Sequence, residues 1–456
     1  MSALWTSAEA EAATLGTASR PFAVCGLSID SRTLKEGDLY VAVKGENRDG
    51  HDFVAAALAA KAGAALVSRL PADVGPNAPL LTVANTQRAL EDLARAARAR
   101  SDAKILGVTG SAGKTTTKEM LLLACGALGP THASNASYNN HWGVPLSLAG
   151  LPREAAFGVF EIGMNHFGEI RSLVSFVRPH VALITTIAPA HLEFFGTTDA
   201  IADAKSEIFE GLSPGGAALI PADNPQAERL MARAKQCNVA RILTFGEKPG
   251  SDARLISYDE GAEFARVKAD ILGAPIEFRI GAPGRHIASN ALGALLCVAA
   301  ADGDVRNAAA ALKDFSALKG RGARFTAGGV DVIDESYNAN PASMAAALAL
   351  LGNASGRRIV VLGDMLEMGP DAAAHHAGLA QAVGAARADL VFLCGPLMKS
   401  LWDALPAKSR TAYAPNSAEL ASLVAAALQT GDTVLVKGSN GSRMSVIIDA
   451  LKKRAA

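Results

Sequence analysis

Short runs of apolar, β-branched residues alternate along this chain with longer Ala-rich stretches whose apolar positions recur at helical spacing. Such runs read as buried strands, and strand alternating with helix is the signature of βαβ units and largely parallel sheets. The expected class is α/β. The alternation restarts twice after polar or charged connections, which divides the chain into three blocks. Residues 1–103 hold LYVAV (39–43), ALV (65–67), LLTV (80–83) and a helix carrying Arg95, Arg98 and Arg100. Residues 104–318 open on KILGV and pass through FGVFEIG, VALITTI, AALIP and RILTF to a helix from about His286 to Ala301 and another reaching about Leu318. Lys319, Gly320, Arg321 and Gly322 read as a linker, with no apolar anchor. Residues 319–456 then restart with GVDVID, RRIVVLGD, ADLVFLCG and DTVLVKG, each followed by a helical pattern, which describes a small Rossmann-like domain.

Composition narrows the function classes. Half of the 456 residues are apolar, enough for a core in each block, so a disordered chain is excluded. Lys plus Arg (44) cancels Asp plus Glu (44), leaving no basic field to hold a nucleic-acid backbone. The five cysteines stand far apart with no CxxC pair, which argues against a zinc site or a disulfide framework and for a reducing compartment. The opening MSALWTSAEAEA carries Glu9 and Glu11 where a secretory signal needs a basic start and an apolar run. Apolar stretches such as Ala291 to Ala301 fall short of the roughly 20 residues that span a bilayer. The expectation is a cytoplasmic protein that neither binds nucleic acid nor inserts in a membrane.

The strongest chemical signal follows the strand ending at Val108. Gly110, Ser111, Ala112, Gly113, Lys114, Thr115 and Thr116 lead into the helical KEMLLLAC. Strand, glycine loop and helix start in that order turn backbone N–H groups and a positive helix end toward one point, which suits a polyphosphate. Lys114 would reach the β/γ-phosphates and the Thr115 hydroxyl would ligate magnesium. The usual P-loop places its first glycine where this chain has Val108, so this is a variant of the pattern. The bland alternative is a glycine turn that merely joins strand to helix.

Glu161 follows FGVF and His191 follows VALITTIAPA, each just past a candidate buried strand. Parallel sheets gather functional groups at the carboxyl ends of their strands, so both should lie beside the phosphate loop and could hold Mg²⁺. Their plainer readings are a solvated strand end and a loop histidine. Lys205 lies in TDAIADAKSEIFEG, expected as one helix from the N-cap candidate Thr198 to the C-cap candidate Gly211. It shares a face with Ile201 and Ile208, and a buried ammonium is costly without a partner. It pairs with Glu161 or a phosphate, is modified to something acidic, or snorkels to the surface.

Taken together, TGSAGKTTTKE, SYNNHWGVPLSL (137–148), EIGMN (161–165), IAPAHLEFFG (187–196) and AKSEIF (204–209) resemble the segments of the Mur ligase family that bind phosphate, substrate and magnesium. The family consists of cytoplasmic ATP-dependent amino-acid ligases of peptidoglycan synthesis, and the resemblance runs nearly end to end. It implies ATP and Mg²⁺ as cofactors, with magnesium held by Thr115, Glu161, His191 and a CO₂-derived carbamate on Lys205. Catalytic roles then fall to Lys114, Glu161, His191 and Lys205.

The resemblance also assigns Asn290 to adenine, and Arg321 and Asp334 to the nucleotide when the last domain closes. DSRTLKEGDLYVAVKGENRDGHDF (30–53) resembles a uridine-diphosphate-binding domain, which puts Ser31 and Arg32 at the uridine nucleotide. DESYNANPASM (334–344) and VLGDMLEMG (361–369) resemble the branch that adds a dipeptide; the DNPR-type motif of the third-residue branch is missing, and DNPQ (223–226) lies in the wrong block. The implied substrates are UDP-N-acetylmuramoyl-tripeptide and D-alanyl-D-alanine, with Asn140, Tyr337, Asn338 and Asn340 as substrate-binding candidates and a monomer as the working form. Read without the resemblance, Asn290 is a polar residue at a helix start, Arg321 a solvated linker charge, Asn338 and Asn340 a polar turn, and Ser31-Arg32 a surface turn. The rivals are another amino-acid ligase of this architecture, a P-loop regulatory ATPase, and a nucleotide-sugar binding module with a vestigial ATP site.

Overall fold

In the computed structural model, which describes residues 3–45, 47–135, 137–261 and 263–453, the middle block is organised around the strand Lys104–Thr109. That strand is buried from Ile105 onward and sits inside a nine-stranded sheet. Phe157–Glu161 pairs with it on one side, placing Glu161 opposite Val108; Val181–Ile184 pairs on the other, placing Ile184 opposite Thr109. Both pairings are parallel, so the phosphate loop, Glu161 and the segment leading to His191 leave the sheet at one edge. Thr131–Ala133, Ala217–Pro221 and Arg241–Gly246 extend the parallel part.

Beyond Arg241–Gly246 lies the minority of the mostly parallel sheet that is not parallel. Ala253–Glu260 pairs with that strand in parallel, but Ala265–Ile271 and Ala274–Ile280 then add as antiparallel strands. Their turn is Leu272-Gly273, both at positive φ (56° and 83°), which suits a two-residue hairpin. The helix Arg285–Ala300 follows, and Val305–Ala311 after it ends in a short 3₁₀ turn at Asp314, before the expected Leu318.

The first block carries a five-stranded sheet, Thr17–Ala18, Leu80–Thr82, Ala64–Val67, Asp38–Val41 and Gly26–Ser28 in spatial order, parallel except at the first strand. Its helix Thr86–Ala99 starts at the N-cap Asn85, whose side chain accepts from Arg88 N–H, and buries Leu90 and Leu93. Each such leucine contributes about 2 kcal/mol of apolar burial. One apolar core runs from Trp5, Leu39, Leu66 and Leu90 into Phe160, Ile184 and Ile220, so the first two blocks share it. Buried Arg98 strengthens the join by donating to the carbonyls of Val177 (2.9 Å) and Arg178 (3.0 Å).

The third block has a six-stranded sheet in the order Ala323–Ala327, Val330–Glu335, Thr433–Lys437, Arg358–Gly363, Leu390–Cys394 and Ala412–Ala414. Only its first pair is antiparallel. The strand ending near Asp334 is thus the second of the block, after Ala323–Ala327. Neighbours along a strand feed opposite faces: Ile333 and Leu435 enter one core, Val332 and Val434 the other. Among the described residues no helix is long and apolar enough to cross a membrane.

Candidate active site

The phosphate loop is held open by its neighbours. Gly110 has φ +151°, and a Cβ there would lie 1.9 Å from Thr185 Oγ1, so only glycine fits. Ser111 N–H donates to Thr186 O (2.8 Å), and Ser111 Oγ accepts from Ala188 N–H (3.0 Å), pinning the loop to the next strand. Gly113, at φ +79°, is the N-cap of the helix Lys114–Gly126 and offers no side chain to cap it. The N–H groups of the first turn therefore face the cavity with the positive helix end behind them. Lys114 is half-buried with its ammonium donating to Gly110 O (2.9 Å), and loss of solvent around it pushes its pKa below the usual lysine value despite the opposing pull of Glu161. Thr116 lines the same cavity.

Glu161 is fully buried at its strand end. Its Oε2 accepts from Thr115 Oγ1 (2.7 Å) and its Oε1 from Asn139 Nδ2 (2.7 Å). Asn139 was not among the residues expected from sequence; the neighbouring Asn140 was. Asn140 instead spends its Oδ1 on the N–H groups of Trp142 (3.2 Å) and Gly143 (2.9 Å), starting the helix Gly143–Ala149. Ser137 Oγ lies 3.3 Å from Thr115 Oγ1 and accepts from Arg321 Nη2 (3.1 Å). The Arg321 guanidinium also sits 3.9 Å over the Tyr337 ring. The linker arginine is thus tied to the phosphate loop on one side and to the third block on the other.

The Lys205 segment is not one helix. Thr197, not Thr198, is the N-cap, because its backbone is extended and its Oγ1 accepts from Ala200 N–H (3.1 Å). The helix Thr198–Ser206 then tightens into a 3₁₀ turn, Glu207–Gly211, where Glu207 turns inward to accept from the N–H groups of Gly168 and Arg171. Lys205 is 1% exposed, and among the described residues its ammonium has no hydrogen-bond or ion-pair partner. Desolvation, with Lys114 repelling it, drives its pKa well below 10.5. The pairing with Glu161 foreseen as one option is therefore not made. His191, at φ 56°, precedes the short helix Leu192–Phe195 and holds Glu367 of the third block through Nδ1 (2.5 Å).

The third block supplies the opposite wall. Asn340 caps the helix Pro341–Gly352, its Oδ1 accepting from Ser343 N–H (2.9 Å), while its Nδ2 donates to Ser111 O (3.4 Å) in the phosphate loop. The Asn338 carbonyl accepts from Lys437 Nζ (3.0 Å), which also pairs with Glu335 (3.0 Å). Asn290 lies against Gly113, whose Cβ, if present, would be 2.7 Å from Asn290 Oδ1. A cavity of about 970 Å³ is bounded by the phosphate loop, Glu161, His191, Asn290, Arg321 and the Tyr337–Asn340 segment.

Six expected residues do not line that cavity: Gly110, Thr115 and Lys205 of the middle block, and Asp334, Ser31 and Arg32. Asp334 is 1% exposed and its carboxylate accepts from Gly320 N–H (3.0 Å) and Ser336 Oγ (2.6 Å), so it shapes the linker turn. Ser31 and Arg32 belong to the first block, where Arg32 forks onto Asp30 (2.6 and 2.9 Å) and lowers that carboxyl to about 2. Within the 30–53 stretch, Glu46 lies outside the described residues.

These donors can be tested against a hard cation. A carboxylate and a hydroxyl 2.7 Å apart are magnesium-type oxygen ligands. Among the described residues no group of three or more His, Cys, Asp or Glu is placed to hold a metal ion. The unpartnered Lys205 fits a cation only if its nitrogen becomes anionic.

Three family models match the chain: Mur ligase family, catalytic domain (residues 23–98), Mur ligase middle domain (108–298) and Mur ligase, glutamate ligase domain (320–440). A UDP-N-acetylmuramoyl-tripeptide–D-alanyl-D-alanine ligase of Rickettsia prowazekii is 34% identical, the match covering 93% of this chain and 94% of the relative. A crystal structure of MurF from Acinetobacter baumannii superposes with a TM-score of 0.86 at 31% identity, covering 98% and 99% of the two chains. MurF ligase from Thermotoga maritima in complex with ADP gives 0.79 at 25% identity, covering 94% and 97%.

Proposed function

The chain belongs to the Mur ligase family, and from that premise we propose that it joins D-alanyl-D-alanine to the peptide carboxylate of UDP-N-acetylmuramoyl-tripeptide, consuming ATP, as a step in making the peptidoglycan precursor. Residues 1–103 take the uridine nucleotide, 104–318 the ATP, and 319–456 the dipeptide. The protein works in the cytoplasm as a monomer. The observation that carries this reading is the buried Thr115–Glu161 pair at an uncapped phosphate-loop helix, with Glu161 lining a cavity whose far wall comes from the third block.

A carboxylate is unreactive toward an amine, so the reaction divides into two feasible steps. A carboxylate oxygen of the tripeptide attacks the γ-phosphorus of ATP, the bond to the β,γ-bridging oxygen breaks, and ADP departs to leave an acyl phosphate. The dipeptide amine then attacks the carbonyl carbon, sheds a proton, and inorganic phosphate leaves through a tetrahedral intermediate. Lys114 and the N–H groups of the helix start neutralise the transferred phosphoryl charge. Arg321, stacked on Tyr337, adds a second cation on the closing side. Asn290 holds the adenine, Asn140 the UDP-linked substrate with Ser31 and Arg32, and Tyr337, Asn338 and Asn340 the dipeptide. Asp334 serves the nucleotide by fixing the linker turn that carries Arg321.

Magnesium, when bound, supplies charge neutralisation at the phosphate oxygens, and Thr115, Glu161, His191 and Lys205 would hold it. Lys205 does so as a carbamate. Burial and the neighbouring Lys114 press the proton off its amine, and a neutral amine is the form that adds CO₂. The amine nitrogen bonds the CO₂ carbon and releases a proton, and the product would be an anionic oxygen ligand whose charge a bound cation would balance.

Phosphate release measured with UDP-N-acetylmuramoyl-tripeptide, Mg²⁺ and ATP, with and without D-alanyl-D-alanine, tests the proposal. Release that rises on adding the dipeptide, and less with single amino acids, is the expected result. Release indifferent to any amine acceptor would favour a regulatory ATPase.

A further inference from the structure

The His191 turn and the third block meet at a contact that the reaction above leaves unused. Glu367 Oε2 lies 2.5 Å from His191 Nδ1, and the Glu367 carbonyl accepts from Glu193 N–H (3.1 Å). Gly369, at φ +69°, lies against the backbone of Leu192 and Glu193. Leu192 packs against the apolar cores of both units. The two partners are both in the left-handed region, His191 at φ 56° and Glu367 at φ 61°. Non-glycine residues adopt that conformation seldom, and persist in it where the surroundings fix them. Two such residues facing each other across one interface mark a specified contact. With Nδ1 committed to Glu367, the nitrogen of His191 left for a ligand is Nε2, and His191 lines the large cavity.

We propose that Glu367 is a positioning residue acting through His191: it holds the ring by Nδ1, leaves Nε2 as the nitrogen open to a ligand, and does so only when the third unit is docked, so that docking completes the metal site. A carboxylate behind a ligating imidazole fixes tautomer and ring orientation and raises ligand basicity. Here that carboxylate arrives from another folded unit, so metal affinity and docking are coupled. By linkage, metal held at His191 favours the docked state by the same factor that docking improves metal affinity. This rests on His191 being a magnesium ligand, as proposed above.

The test uses Mn²⁺ as the probe, titrated into the full chain with a non-hydrolysable ATP analogue and followed by electron paramagnetic resonance. Glu367→Ala should weaken Mn²⁺ about 10- to 100-fold and diminish the nitrogen hyperfine coupling from the imidazole. Glu367→Gln, which keeps an acceptor for Nδ1–H, should retain part of both. His191→Ala should lose the coupling, and adding Glu367→Ala to it should cost nothing more. Wild-type affinity and coupling in Glu367→Ala would overturn the proposal. So would a double variant weaker than His191→Ala by the full factor, which makes Glu367 a plain latch. If His191→Ala itself bound Mn²⁺ normally, the ligand assignment of His191 would fall and this proposal with it; the first two results would overturn the proposal alone.

Discussion

Replacing Lys205 with methionine should make the protein more stable and inactive. Lys205 is 1% exposed, and its amine has no partner among the described residues. A polar group buried in that way costs about 1–3 kcal/mol even when uncharged. Methionine keeps nearly the same length and volume and deletes the polar atom. For a unit of 150–250 residues each kcal/mol moves Tm by about 2–4 °C, so the variant should melt about 2–12 °C higher in buffer stripped of CO₂ and metal. The pH dependence gives a second reading. The lysine pKa in the folded protein is well below 10.5, its ordinary value. Between those two values the unfolded chain binds the proton more tightly, so wild-type stability rises with pH and falls on acidification. Methionine has no such dependence, so its advantage should widen toward acid and narrow as pH approaches 10.5. Scanning calorimetry across pH measures both, and phosphate release should stay at background whether or not bicarbonate is added. A variant that melted below wild type in CO₂-free buffer, or a gap that failed to widen on acidification, would refute the account of Lys205 as an unpartnered buried amine.

Two further perturbations address the rest of the site. Asn139→Ala removes a 2.7 Å hydrogen bond to the buried Glu161 carboxylate. Bonds to charged groups are worth about 1.5–3 kcal/mol, so kcat/KM should fall about 10- to 150-fold in steady-state assays; a change under about twofold would mean that Asn139 does not hold Glu161. Gly110→Ala drives a Cβ to 1.9 Å from Thr185 Oγ1 at φ +151°. Overpacking of this kind costs about 1–3 kcal/mol, and calorimetric ATP affinity should drop about 5- to 150-fold; unchanged affinity would mean that the loop does not need this shape.

Much of the site could be read from the sequence because strand ends in a parallel sheet are positions that local pattern reveals. Glu161 and His191 follow apolar runs, and the pairing of those runs with Lys104–Thr109 brings them to the phosphate loop. The apolar face of the Lys205 helix was legible too, since Ile201 and Ile208 are fully buried beside it. Its cap was not: Thr197 and Thr198 are chemically alike, and only the extended backbone at Thr197 separates them. Asn139 and Asn140 pose the same difficulty, because which amide faces Glu161 depends on how the 137–143 turn packs. The strands at 265–280 could have been found, because buried Val267, Ala269 and Ile271 alternate with exposed Arg266 and Lys268. The roles of Ser137 and Glu367 were out of reach, since each is defined by a partner more than 100 residues away, Arg321 and His191.

The way apolar surface is shared sets where this polypeptide can be taken apart. Trp5, Leu66 and Leu90 belong to one apolar core that continues beyond residue 103, while the last sheet fills both of its faces almost entirely from within. A cut near residue 103 would strip oily surface bare on both fragments, whereas a cut in the glycine-bearing stretch after Leu318 severs few such contacts. The final portion is therefore the natural interchangeable part, the piece that recombination between related genes, or a builder of chimaeras, can trade without unravelling the remainder.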